Sequence, residues 1–265
     1  MKKLPLYQID AFTDRLFSGN PAAVCMLDEW LPDLLMQQIA AENNLAETAF
    51  VVPMEDGYSI RWFTPAVEVD LCGHATLASA YVLFNIFNFR GDEIRFFSPR
   101  SGLLKVSREK EMLFLDFPSD SLSEHPDMIP TVETCLGTRP LEIFRGKTDL
   151  VAVFEKEQDI RDIIPDLGSI ARLEARGLIV TAPGDRVDFV SRFFAPQSGI
   201  NEDPVTGSAH TSLAPLWHGK LGKTNMKAQQ LSARGGSLSC EYRQDRCLIG
   251  GKAKLYLTGE IHIEE

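Results

Sequence analysis

Apolar and polar residues alternate with a period of two over Leu6–Phe12, break at Ser18-Gly19-Asn20-Pro21, and resume over Ala22–Leu27. This is the pattern of two strands joined across a turn. In Pro32–Asn43 the period changes: Leu34, Leu35, Met36, Ile39 and Ala40 recur at helical spacing and an Asn pair closes the run, which predicts an amphipathic helix. Strands follow at Thr48–Val52 and Ser59–Phe63. Gly73–Phe87 is apolar on nearly every side, which predicts a helix buried all round. Glu93–Phe117 reads as three strands, broken at Pro99-Arg100-Ser101-Gly102 and Arg108-Glu109-Lys110-Glu111. Pro118–Pro130 then turns to Ser, Pro and Asp, a linker composition near the middle of the chain. Beyond it the pattern predicts a short helix at Thr131–Leu136 and strands at Leu141–Arg145 and Leu150–Phe154. A helical stretch over Ile160–Arg176 precedes strands at Leu178–Thr181 and Val187–Phe194. A second apolar helix at Gly207–Trp217 leads into a run of strands from Gln229 to Ile263.

Two of these stretches repeat. Arg61-Trp62-Phe63-Thr64-Pro65 and Arg192-Phe193-Phe194-Ala195-Pro196 share R-x-F-x-P at an offset of 192 − 61 = 131 residues. Each is a strand followed by an acidic loop, then a Gly and small residues opening an apolar helix: Asp70-Leu71-Cys72-Gly73-His74-Ala75-Thr76 and Asp203-Pro204-Val205-Thr206-Gly207-Ser208-Ala209-His210. The two glycines are offset by 207 − 73 = 134. Self-similarity at half the chain length points to duplication. The expected fold class is α+β, with two similar halves, residues 1–117 and 118–265, each wrapping strands around a central helix. The last strand is free to return to the first half.

Composition narrows the partners. The 265 residues carry a formal charge of −10, and the acidic balance with no basic cluster excludes a nucleic-acid surface. The amino-terminal residues show no apolar signal-peptide core. The longest greasy stretch, Ala75–Phe89, falls short of the roughly 20 residues that span a bilayer, so no membrane partner is expected. Five cysteines, an odd number without C-x-x-C spacing, read as free thiols in a reducing, cytoplasmic compartment.

The candidate chemistry sits in the repeated loops. A Gly and small residues at a helix start leave backbone N–H groups unpaired, and the helix dipole makes them a site for a carboxylate or phosphate. Gly73 and Gly207 would supply two such ends at a cleft between halves, with His74 and Ser208 beside them. The competing reading is that both glycines only permit tight turns and that His74 packs. Cys72 and Asp203 are acid/base candidates, and a thiolate at a helix amino terminus would have a depressed pKa; a buried structural Cys is the alternative. Glu47, at the edge of an apolar strand, is either a proton-trading carboxylate or a solvated turn residue. His210 reads as a hydrogen-bonded, half-buried histidine. His125, His218 and His262 show no i, i+4 pairing, so no metal site is expected. The dinucleotide, P-loop and nucleophile-elbow motifs are absent.

Four segments, in order, carry a family resemblance over essentially the whole chain. They are Asp10-Ala11-Phe12-Thr13 with Gly19-Asn20-Pro21-Ala22; Asn44-Leu45-Ala46-Glu47-Thr48; Cys72-Gly73-His74-Ala75-Thr76; and Glu202-Asp203-Pro204-Val205-Thr206-Gly207-Ser208-Ala209. The sequence resembles the PhzF-like family of phenazine-biosynthesis isomerases, within the diaminopimelate epimerase-like fold. The resemblance implies a homodimeric enzyme without cofactor or metal, its site between the halves, acting on a small carboxylate-bearing molecule. It implies that Glu47 moves a proton on the substrate carbon skeleton and that His74 and Asp203 hold substrate and assist. Ser208 and the backbone amides of Gly73 and Gly207 would anchor the carboxylate. Related racemases on this fold use one cysteine from each half; here Cys72 has no counterpart, because the second loop offers Asp203 instead. A one-base proton shift through Glu47 is therefore the expected chemistry. The alternatives are an epimerase using Cys72 and a non-catalytic small-molecule-binding protein on the same fold.

Overall fold

A computed structural model describes residues 2–264. In chain order its elements are β1 (Lys2–Ala11), β2 (Asn20–Met26), α1 (Asp33–Asn43), β3 (Glu47–Met54), β4 (Gly57–Phe63), β5 (Glu68–Val69), α2 (Gly73–Asn85), β6 (Glu93–Ser98), β7 (Gly102–Glu109) and β8 (Met112–Pro118). They continue as β9 (Ser123–Glu124), α3 (Ile129–Leu136), β10 (Glu142–Arg145), β11 (Leu150–Val153), α4 (Glu157–Asp162), α5 (Leu167–Ile170), β12 (Leu178–Pro183) and β13 (Phe189–Phe194). The last are α6 (Ala209–Leu221), β14 (Asn225–Gln230), β15 (Gly236–Arg243), β16 (Arg246–Gly251) and β17 (Ala253–Ile263). Two compact units divide the chain: Met1–Asp116 with Gly250–Glu265, and Phe117–Ile249.

In the first unit β17 pairs antiparallel with β1 and β1 with β2. β2 runs parallel to β3, and β3 antiparallel to β4. β4 is parallel to β6, which continues antiparallel into β7 and β8. Each parallel step needs a helical crossover: α1 links β2 to β3 and α2 links β4 to β6. α1 buries only Met36, Ile39 and Ala40, whereas ten of the thirteen residues of α2 are buried. α2 packs against β1, β2, β3, β7 and β17, so strands on several sides leave it no polar face.

The second unit repeats this order. β10 pairs antiparallel with β11. β11 runs parallel to β12, β12 antiparallel to β13, β13 parallel to β14 and β14 antiparallel to β15. Here α4 and α5 make the first crossover and α6 the second. The registers align the repeat at residue level: Thr48 faces Phe63, and Leu178 faces Phe194, the two Phe belonging to R-x-F-x-P. α6 contains Pro215, which has no N–H for the Thr211 carbonyl one turn back; that oxygen accepts the Asp120 N–H at 3.1 Å instead.

Two predicted helices differ in extent. The stretch Ile160–Arg176 breaks into α4 and α5, because Pro165 disfavours helix at the residue before it and Asp166 restarts the chain by accepting the Ser169 N–H. α6 starts at Ala209, so Gly207 precedes the helix instead of opening it, with Ser208 as the capping residue. No helix among the described residues is long and apolar enough to cross a membrane.

Candidate active site

In the first unit the fold brings Glu47, Cys72 and His74 together. Glu47 opens β3 opposite Ala22 of β2. Its approach is fixed by Asn44, whose left-handed backbone (φ 49°) ends α1, and by Asn43, whose amide donates to Thr48 Oγ1 at 3.1 Å. Because β2 and β3 are parallel, their starts share one end of the sheet, so Asn20, the first residue of β2, lies at the same end. α2 brings its own amino terminus there, with Cys72 as N-cap and Gly73 and His74 as its first residues.

The contacts are short and dry. His74 Nε2 lies 3.0 Å from Glu47 Oε2, and Cys72 Sγ lies 3.5 Å from Nδ1 and 3.9 Å from Nε2 of the same ring. The Asn20 amide sits 3.3 Å from Nδ1. Glu47, Cys72 and His74 are only 8 %, 5 % and 6 % exposed. Burial alone would discharge the His74 ring, but Cys72 and Glu47 beside it more than reverse that, and His74 titrates well above its ordinary range. Beyond the His74 contact, Glu47 Oε2 has no hydrogen-bond partner among the described residues.

The depressed thiol expected at Cys72 is not found. Burial first, and the Glu47 charge second, push it up to about 11, against the opposing pull of His74 and the Ala75 N–H. Desolvation outweighs the helix terminus here, and Cys72 stands as a neutral thiol near neutral pH.

The other predicted residues lie in the second unit. Asp203 is buried, and its loop is clamped by Gln230 of β14, which donates to the Asp203 carbonyl and accepts the Thr206 N–H, both at 2.8 Å. Thr206 donates its hydroxyl to Asp203 Oδ2. Gly207 leads into Ser208, whose hydroxyl accepts from Arg176 Nη2 at 3.2 Å. Buried Asp149 holds that guanidinium in a two-point ion pair, and Phe193 lies beneath it at 5.4 Å. His210 is fully buried, not half-buried, and donates from Nδ1 to the Thr206 carbonyl at 2.8 Å.

Sequence reasoning missed Asn20, Arg176 and Gln230 as site neighbours. The repeat carried no signal for Arg176, which aligns with Ala46. Aligning Thr48 with Leu178, and Gly73 with Gly207, makes Gly177 the counterpart of Glu47 and Ser208 that of His74. The Glu47–His74 contact of the first unit therefore has no equivalent pair in the second: Gly177 carries no side chain, and its neighbour Arg176 contacts Ser208 instead.

The fold and this cluster define an α+β protein with a duplicated topology and a buried carboxylate–imidazole–thiol group. The chain belongs to the phenazine biosynthesis-like (PhzC-PhzF) protein family, whose model matches residues 9–259. It is 51 % identical over 261 residues to an uncharacterized isomerase of Pseudomonas aeruginosa, covering 98 % of this chain and 99 % of that one. The crystal structure of a PhzF-family phenazine biosynthesis protein from Enterococcus faecalis superposes with a TM-score of 0.96 at 48 % identity, covering 99 % of this chain and 100 % of that one. A hydroxyproline epimerase from Agrobacterium vitis shares the fold alone, with a TM-score of 0.60 at 8 % identity over 98 % of this chain and 92 % of that one.

Proposed function

We propose that the protein is a cofactor-independent isomerase that moves a proton on a small, carboxylate-bearing substrate, a cyclic or unsaturated amino or hydroxy acid. Glu47 is the base and then the acid. Its carboxylate takes a proton from one carbon, the electron pair shifts along the unsaturated system, and the resulting carboxylic acid returns the proton to another carbon. The observation that carries this reading is the buried Glu47 carboxylate, whose Oε2 lies 3.0 Å from His74 Nε2 and has no further hydrogen-bond partner among the described residues. A protonated His74 beside it stabilises the carboxylate and is a donor to charge that builds up on the substrate.

Asp203 assists the proton's movement, while Ser208 and the backbone amides of Gly73 and Gly207 hold the carboxylate. Arg176 supports the Ser208 assignment: by donating to the Ser208 oxygen it leaves the hydroxyl proton for another acceptor. Cys72 supports a second reading, an epimerase in which its thiol acts near His74, although a thiol held up to about 11 is a poor base near neutrality.

The test is proton NMR in deuterated water with a panel of small amino, hydroxy and cyclohexadiene carboxylic acids. Wild type should place deuterium at one substrate carbon, and Glu47→Gln should lose turnover by roughly 10³-fold while keeping its fold and ligand binding. Exchange that survives in Glu47→Gln removes Glu47 from the mechanism. Binding without exchange for every acid identifies a binding protein on this fold.

A further inference from the structure

Glu47, Cys72 and His74 each offer a different donor atom, and the three atoms lie within 4.8 Å of one another. We propose that Cys72 Sγ, His74 Nε2 and Glu47 Oε2 form a binding site for Zn²⁺ and that the bound ion reversibly blocks the proton-transfer site.

The distances favour this. Zinc binds sulfur at about 2.3 Å and nitrogen or oxygen at about 2.0–2.2 Å, so tetrahedral ligand atoms sit roughly 3.3–3.6 Å apart. Nε2 is 3.0 Å from Glu47 Oε2 and 3.9 Å from Sγ, which bracket that separation. Sγ also lies 3.5 Å from Nδ1, so it reaches an ion held on Nε2 by turning about the Cys72 Cα–Cβ bond.

The donor set also selects the ion. Thiolate with imidazole prefers zinc and its thiophilic neighbours to magnesium or calcium. One thiolate and one carboxylate neutralise a dication, so the metal-bound cluster carries no net charge in a dry place, where an uncompensated ion is costly. The thiol proton, and any proton on Nε2, pass to solvent as the metal bonds form. Asn20 is the orienting neighbour: its amide nitrogen stands 3.3 Å from Nδ1, and turning the amide over presents its oxygen to an Nδ1–H, which leaves Nε2 as the ligating nitrogen. Three protein ligands leave a fourth position for water or a substrate oxygen. The sequence hid the site because its ligands come from positions 47, 72 and 74, without the spacing of a single metal-binding motif.

Zinc binding stands on this geometry; its effect on turnover rests on the proton-transfer reading above, so binding is measured without turnover. Co²⁺ added to the whole protein should give one thiolate-to-metal charge-transfer band at a 1:1 ratio, displaced by Zn²⁺. Zinc affinity, read by competition with a chromophoric chelator, should fall by about 100-fold or more in Cys72→Ser and in His74→Ala. A band that persists in Cys72→Ser, or the absence of any thiolate band in wild type, overturns the proposal. If the variants do not fold, anomalous diffraction from wild-type crystals soaked in zinc decides it: a peak among the three side chains supports the site, and density elsewhere or nowhere refutes it. Zinc binding without deuterium exchange on any substrate would sink the isomerase reading and leave the metal site standing.

Discussion

At the scale of single residues, burial decides which polar groups keep their charge. His210 is the clearest case: desolvation pushes it down to about 4, the hydrogen bond to the Thr206 carbonyl offsetting only part. An unfolded histidine titrates near 6.5, so the unfolded state takes up a proton that the folded state refuses until about pH 4. The stability tied to a neutral His210 is therefore complete above pH 6.5 and is lost as the pH falls toward 4. The expected loss is about 2 kcal/mol between about pH 7.5 and 5. Urea unfolding at both pH values should show a His210→Gln variant losing less stability than wild type by that amount; equal losses would mean the ring is hydrated. The sequence placed His210 in the first turn of an apolar helix but understated its burial, because burial depends on Phe189, which comes from β13 and lies 5.9 Å from the imidazole. Cys72 was legible as a helix-start thiol, yet the direction of its shift was not, since Glu47 reaches it only through the fold.

At the scale of elements, hydrophobic pattern and energetics agree. α1 alternates faces and α2 does not, so chemically identical leucines on the two helices should have very different worth. Leu77 in α2 is fully buried, while Leu34 in α1 is 71 % exposed. Leu77→Ala should cost about 2–5 kcal/mol, a transfer term plus the cavity left behind, whereas Leu34→Ala should stay within about 0.5 kcal/mol. Chemical denaturation of the two variants checks the contrast, and similar midpoints would refute the view of α2 as the core of its unit. These helices were legible because their period and their ends were written locally, in an Asn pair and in Cys72-Gly73. The pairing between strands was less legible: R-x-F-x-P flagged the repeat, but the alternation of parallel and antiparallel steps depends on contacts across scores of residues. The segment that becomes α4 and α5 misled for a local reason, as its apolar spacing is helical while Pro165 forbids continuity.

At the scale of the whole molecule, β17 presents apolar side chains to solvent. Leu255, Tyr256 and Leu257 are three consecutive apolar residues of β17, yet they are 36 %, 46 % and 39 % exposed. Among the described strands β17 has a ladder to β1, and Phe17, 71 % exposed, packs edge-on against Tyr256 at 5.7 Å. An apolar strand left uncovered is a site for association, and a second copy would meet it isologously about a two-fold axis. The family resemblance implies a homodimer, and the prediction is that it forms through this face. Each chain carries a formal charge of −10, so two copies repel at long range while their apolar contact attracts. Screening shortens the repulsion from about 30 Å at 0.01 M salt to about 8 Å at 0.15 M. Sedimentation equilibrium should therefore show dimerisation tightening as salt rises over that range, opposite to the response of an interface held by ion pairs. Leu257→Glu adds a charge at the apolar contact and should weaken association by at least about 10-fold. A monomer at every salt concentration, or a dimer indifferent to Leu257→Glu, would place the interface elsewhere and leave β17 to a different partner.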